Sequence, residues 1–155
     1  MVIIGASSKV KRIVISLILI LFVCFPAEKI ELPDYDKEYE IRHLARIIHA
    51  ECSICPTDEQ YMVGSVVLNR IKHEKFPDSL LGVLSQPNQF NAYNTSNYIV
   101  SESTLTVAKN LIKGVGRDYT VLFFFRPDAP NKKFLKKMED NLVFRGKFHN
   151  FAKIK

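Results

Sequence analysis

Between His49 and Cys55 the chain reads His-Ala-Glu-Cys-Ser-Ile-Cys, and three kinds of reactive side chain share that short stretch. Glu51 is the carboxylic acid among them. It falls four residues after Ile47 and three after Ile48, positions that a helical repeat stacks on one apolar face. Desolvation on such a face disfavours the charged form and holds the proton to higher pH. A carboxyl that keeps its proton near neutrality suits a general acid, one that protonates the leaving oxygen of a glycoside. Ordinary glycosidases add a second carboxylate within about 5–10 Å. The nearest in sequence, Asp58 and Glu59, open the next helix, where they most simply serve its dipole. A one-acid route stays open. The acid protonates the glycosidic oxygen, and its conjugate base then takes a proton from a hydroxyl of the same sugar. That hydroxyl closes on the anomeric carbon with no external nucleophile.

The neighbouring residues offer a rival chemistry. His49, Cys52 and Cys55 recur at intervals of three, and Cys52-Ser53-Ile54-Cys55 is a CxxC. Zinc would need a fourth ligand, for which His43, His73 and His149 are candidates. One CxxC without a second pair is a sparse zinc signature, and thiol redox catalysis lacks its βαβ setting. Cys52 and Cys55 are therefore assigned as a candidate disulfide, with no metal and no cofactor. The sequence shows no Ser/His/Asp ordering and no Gly-rich phosphate loop.

The elements that must position Glu51 are legible from periodicity. Ile41, Leu44, Ile47 and Ile48 mark one face of a helix from about Tyr39. Pro56 breaks it, and Thr57-Asp58-Glu59-Gln60 forms a capping box for a second helix to about His73. Met62, Val63, Val66, Val67 and Ile71 make that helix's buried face, and Gly64 permits close packing. A short helix spans Ser79–Ser85, and another begins at Ser101 and stops at Gly114. Between them lies the polar, aromatic loop Gln86–Tyr98, whose amides and rings suit a binding surface. Tyr119–Phe125 reads as a strand, Lys132–Met138 as a helix, and Leu142–Phe144 with Phe148–Phe151 as a hairpin around Arg145-Gly146-Lys147. The expected fold class is α+β, predominantly helical, with a small C-terminal antiparallel sheet.

The 155 residues suit one domain behind an N-terminal extension. Lys9, Lys11 and Arg12 precede the apolar run Ile13–Phe25, the pattern of a signal peptide or an N-terminal anchor over residues 1–27. Residues 28–38 read as an acidic linker and 39–155 as the functional domain. The chain is expected to be exported, with the membrane involved only through this first segment. The formal charge is +6, and without residues 1–27 it falls to +3. That mild basicity suits a polyanionic surface such as a cell wall and excludes nucleic acid as a partner.

Several blocks, in order and at similar spacing, resemble the spore-cortex-lytic cell-wall hydrolases of the SleB/CwlJ type. They are Leu44–Glu51, Val63–Arg70, Phe76-Pro77-Asp78, Gln86–Phe90, Leu122–Pro127 and His149-Asn150-Phe151, and together they span about Ile41–Phe151. The resemblance implies a lysozyme-like domain, acting as a monomer on peptidoglycan glycan strands. Members include lytic transglycosylases, which cleave between N-acetylmuramic acid and N-acetylglucosamine and leave an anhydro-muramic end. Glu51 matches the family's catalytic glutamate. Gln86, Gln89 and Phe90 match its cleft-loop motif, and His149 its late histidine. With Tyr93 from the same loop, and Phe123 and Phe125 from the strand, these residues are the expected substrate contacts. The chain departs from the pattern at Cys55, which stands where the family has a second acid. It departs again at Phe123 and Phe125, which replace tyrosines, and at Arg126, which replaces a neutral amide. The rival readings are an exported peptidoglycan-binding module without activity, or a zinc or thiol protein built on His49, Cys52 and Cys55.

Overall fold

The computed structural model describes residues 35–90, 93 and 99–154. The signal or anchor segment, the linker up to residue 34, and loop residues 91, 92 and 94–98 lie outside them. Residues Asp34–Lys155 form one compact unit. No helix of the described residues is long and apolar enough to cross a membrane.

Three helices make the body: α1 (Tyr35–Cys52), α2 (Thr57–Ile71) and, after the short α3 (Leu80–Leu84), α4 (Glu102–Ile112). Helix α1 packs on both α2 and α4. It starts four residues before Tyr39, so Tyr35–Glu38 belong to the helix and not to a linker. Leu44, Ile47 and Ile48 are fully buried, as their spacing requires, with Val63, Val66, Val67 and Leu111 opposite them. The helices converge on Gly64. A Cβ there would meet Ile48 Cδ1 at 2.8 Å and run into Leu111.

The capping box does not form. Pro56 is the N-cap of α2 and no side chain caps it. The Gln60 side chain is used elsewhere, donating to Cys55 O at 3.3 Å and accepting from Thr104 Oγ1 at 3.2 Å. Ser101 and Ser79 do cap their helices, each accepting from the backbone N–H three residues on.

The C-terminal sheet has three antiparallel strands, β1 (Phe123–Phe125), β2 (Leu142–Arg145) and β3 (Asn150–Ala152), in the order β1-β3-β2. Helix α5 (Lys132–Glu139) joins β1 to β2. Phe124 and Phe144 both sit opposite Phe151, and the three face the helical core. Phe123 and Phe125 face the other way, into a small cluster with Met138 and Phe134 beneath α5. The strand expected from Tyr119 begins only at Phe123, because Asp118 takes the preceding amides. Its Oδ1 accepts from Thr120 N and Val121 N, which bends the chain and leaves Tyr119 67% exposed.

One long-range contact ties the sheet to the helices. Glu59, in the first turn of α2, is 1% exposed and reaches into the β2–β3 connection. Its carboxylate accepts from the backbone N–H groups of Lys147 (2.5 Å), Phe148 (3.1 Å) and His149 (3.0 Å). Gly146 leaves room for it, since a Cβ there would collide with the carboxylate and lie 2.7 Å from His149 O. The sequence reading had given Glu59 only a role at the helix dipole. Glu59→Gln sets an amide donor against these N–H donors. A buried donor left unpaired costs about 1–3 kcal/mol. The variant should lose at least that much stability in urea unfolding, with faster amide exchange at residues 147–149. An unchanged unfolding midpoint would show that the contact does not hold the connection.

Candidate active site

Glu51 lies in the last turn of α1, beside fully buried Ile47 and Ile48. It lines a cleft of about 410 Å³ together with Ile54, Cys55, Arg126, Pro127 and Asp128. Lys147, Phe148 and His149 of the β2–β3 connection complete it. Burial raises the Glu51 pKa above its ordinary value. The negative end of the α1 dipole acts in the same direction. Among the described residues no hydrogen bond or ion pair to this carboxyl offsets that penalty.

The lining of the cleft includes a second carboxylate, Asp128, which sequence reasoning missed. Arg126 holds Asp128 in a two-pronged contact, Nε to Oδ1 at 3.0 Å and Nη2 to Oδ2 at 2.9 Å. That contact keeps the Asp128 pKa below the usual range. The pair sits on the exposed loop after β1, and only the Arg-Pro-Asp spacing could have signalled it. A second hollow, lined by Phe125, Arg126, Asp128, Ala129 and Pro130, shares Arg126 and Asp128 with the first and extends the groove along this loop.

Cys52 and Cys55 are joined by a disulfide across a turn closed by Cys55 N donating to Cys52 O at 3.2 Å. The histidine that reaches them is His149. Its Nδ1 lies 3.9 Å from Cys52 Sγ, 3.8 Å from Cys55 Sγ and 3.4 Å from Glu59 Oε2. Burial lowers the His149 pKa, against an opposing pull from Glu59. His49 is not in this group. His43 bonds the Tyr93 hydroxyl through Nδ1, and His73 Nδ1 accepts from Lys75 N at 3.2 Å.

Of the expected contacts, the structure brings Glu51 and His149 together in the cleft. The others do not line it. Phe90 is 1% exposed, with no face free for a sugar, and Phe125, 7% exposed, borders the adjoining hollow instead. Phe125 packs edge-on against Phe134. Tyr93 is buried against α1 under the Arg46 guanidinium, 5.1 Å from its ring centre. Gln89 is exposed and accepts from Arg70 Nη1 at 3.1 Å, while Gln86 is half-buried. Phe123 is half-buried under Arg70.

A model of the cell wall hydrolase family matches residues 56–152. The chain belongs to this family. The spore cortex-lytic enzyme of Bacillus subtilis (strain 168) is 26% identical over 98 residues, which are 62% of this chain and 32% of that one. The spore cortex-lytic enzyme of Bacillus cereus is 26% identical over 110 residues, 67% of this chain and 41% of that one. The chain thus spans well under half the length of these relatives. Two solved structures share the fold at 24% identity, each covering 83% of this chain and the whole of the other. One is the catalytic domain of a germination-specific lytic transglycosylase, SleB, from Bacillus anthracis, with a TM-score of 0.64. The other is the catalytic domain of the Bacillus cereus SleB protein, with a TM-score of 0.66. The resemblance and the expected mainly helical fold with a small antiparallel sheet are borne out. The family match begins at Pro56, so the assignment of Glu51 rests on its place in the cleft.

The raised Glu51 pKa has a consequence for stability. The unfolded chain releases this proton first, near the ordinary value of 4.5, while the folded chain still holds it. The stabilising contribution is present below that pH and is lost as pH rises through the folded value. Wild-type stability should therefore fall relative to Glu51→Gln as pH rises from about 4 through the raised pKa. Unfolding curves of both proteins across that range check the sign, and a constant difference would mean that Glu51 is not desolvated.

Proposed function

We propose that this chain is an exported lytic transglycosylase of peptidoglycan, cleaving glycan strands at the bond from N-acetylmuramic acid to N-acetylglucosamine. The observation that carries the reading is Glu51, a half-buried carboxyl that keeps its proton to raised pH and faces an open cleft. In the forward step the Glu51 proton goes to the glycosidic oxygen as its bond to the anomeric carbon breaks. The resulting carboxylate takes the proton of a hydroxyl on the same sugar, and that oxygen closes on the anomeric carbon to give the anhydro end. One acid serves both transfers.

His149 and Lys147 line the cleft and supply polar contacts to the strand. The adjoining hollow along the β1–α5 loop gives the groove room for more than one sugar. The lytic transglycosylase described from Bacillus anthracis, which shares this fold, supports the same chemistry. The chain acts as a monomer outside the cytoplasm, with residues 1–27 as its export signal or anchor.

Asp128 favours a second reading, hydrolysis by two carboxylates, because it lies in the same cleft with its pKa moved the opposite way. Both of its oxygens are held by Arg126, which makes it a poor base for activating water.

Glu51→Gln should keep the fold and lower glycan cleavage by about 10²–10⁴-fold, the usual contribution of a positioned acid–base group. Mass analysis of digested sacculi should find anhydro ends. Reducing ends that disappear in Asp128→Asn would establish the hydrolytic route instead. Normal turnover by Glu51→Gln would leave neither reading standing.

A further inference from the structure

The Cys52–Cys55 corner gathers groups that the proton transfers of Glu51 do not use. Cys52 Sγ, Cys55 Sγ, a Glu59 oxygen and a His149 ring nitrogen all lie within 4.8 Å of one another. They come from the end of α1, the turn after it, the start of α2 and the entry to β3. Sequence separations of up to 97 residues mean that the fold gathers them and not the local chain.

The way they meet decides between two chemistries. In a catalytic relay the imidazole uses one ring nitrogen for the nucleophile and the other for the group that orients it. Here both sulfurs and the carboxylate face the same nitrogen, His149 Nδ1. Convergence of two sulfurs, a nitrogen and a carboxylate oxygen on one point is the arrangement of a metal site. Zinc bonds of about 2.0–2.3 Å to such donors set tetrahedral ligand separations of about 3.3–3.8 Å. The contacts from Nδ1 to Glu59 Oε2, Cys55 and Cys52 are 3.4, 3.8 and 3.9 Å. The two sulfurs, now bonded to each other, must move apart, and the widest separation, up to 4.8 Å, must close by about 1 Å to reach that range.

Two further features fit. Glu59 Oε2 also accepts from Phe148 N and His149 N at 3.1 and 3.0 Å, which fixes the ligand oxygen in place, as outer hydrogen bonds do for ligating carboxylates. Cys52 and Glu59 are each 1% exposed, Cys55 is 9% exposed and the His149 side chain is 12% exposed, so three ligands are buried and the fourth borders the cleft.

We propose that the reduced form of this corner is a structural Zn²⁺ site, with Cys52, Cys55, His149 and Glu59 as ligands, and that the disulfide is its alternative state. A dithiol reductant supplies two electrons and two protons. The sulfur–sulfur bond breaks to give two thiols, and the reductant leaves as its own disulfide. Zn²⁺ then displaces both thiol protons to solvent, and two thiolates, one neutral imidazole and one carboxylate surround the ion. Disulfide and zinc exclude each other, because the same two sulfurs carry both. Either one ties the end of α1 to the start of α2, and zinc adds the β2–β3 connection. The site is independent of the role given to Glu51.

The test uses the full chain with Cys24→Ser, so that only the two cysteines of this corner remain. The protein is reduced with a dithiol, freed of it under nitrogen, and titrated with Zn²⁺ or Co²⁺. The reduced form should retain one Zn²⁺ per chain after dialysis, and the oxidised form none. Co²⁺ should give thiolate-to-metal charge-transfer absorption and the visible bands of a tetrahedral ion. His149→Ala should weaken Zn²⁺ binding by at least about tenfold, since loss of even an outer partner costs about 10–100-fold. His149→Cys, which restores a ligand, should recover it. The proposal is overturned if reduction adds no metal. It is equally overturned if His149→Ala and Glu59→Gln bind as tightly as the parent, which would leave two thiols acting alone.

Discussion

A single buried carboxylate, Glu59, holds the two halves of this domain in register. It sits on the first turn of α2, where the helix N-terminus favours negative charge, and it takes three backbone N–H groups from the β2–β3 connection. Those amides belong to a connection that pairs with no neighbouring strand. Without an acceptor these partly buried amides would lose their partner within the protein. Meeting them with one carboxylate fixes the path of residues 147–149, and with it the side of the cleft that faces Glu51. His149 is aimed at the sulfurs by the same contact. The cleft beside Glu51 is thus assembled by a group that does not line it.

Within the cleft, two carboxyls are pushed apart by their surroundings. Glu51 is crowded by Ile47 and Ile48 and has no described partner, so its neutral form is favoured. Asp128 is exposed and forked by Arg126, so its charged form is favoured. The difference follows from desolvation of Glu51 and charge pairing of Asp128. The Arg126 guanidinium is paired with Asp128, and its charge also helps to lower the pKa of His149.

The helical body was legible because its information is local. The three-and-four spacing of Leu44, Ile47 and Ile48 placed the helix, its buried face and Glu51 together. What failed to show was set by groups distant in sequence or by competition for hydrogen bonds. The capping box at Thr57 lost to the demands of Cys55 O and Thr104 on Gln60. The strand expected from Tyr119 was shortened because Asp118 claims the amides that a ladder would use. Cys52 and Cys55 declared themselves as a pair, but their histidine lies 94 residues beyond Cys55, and no spacing rule selects it over His49.

The aromatic residues show where a family motif stops being evidence for a substrate contact. Arg70 is buried, and burial lowers its pKa to about 10, which still leaves it charged at neutral pH. Among the described residues no carboxylate pairs with it. Its guanidinium lies 5.0, 5.3 and 5.5 Å from the ring centres of Phe76, Phe90 and Phe123, donates to Leu122 O at 2.9 Å, and reaches Gln89. Ring faces and carbonyl oxygens replace the water that a buried cation loses. Phe76, Gln89, Phe90 and Phe123, scattered along the chain, therefore meet at one arginine. What that buried cation requires accounts for their meeting without a sugar. Gln89, Phe90 and Phe123 are held around that guanidinium, whereas Glu51 and His149 line the cleft.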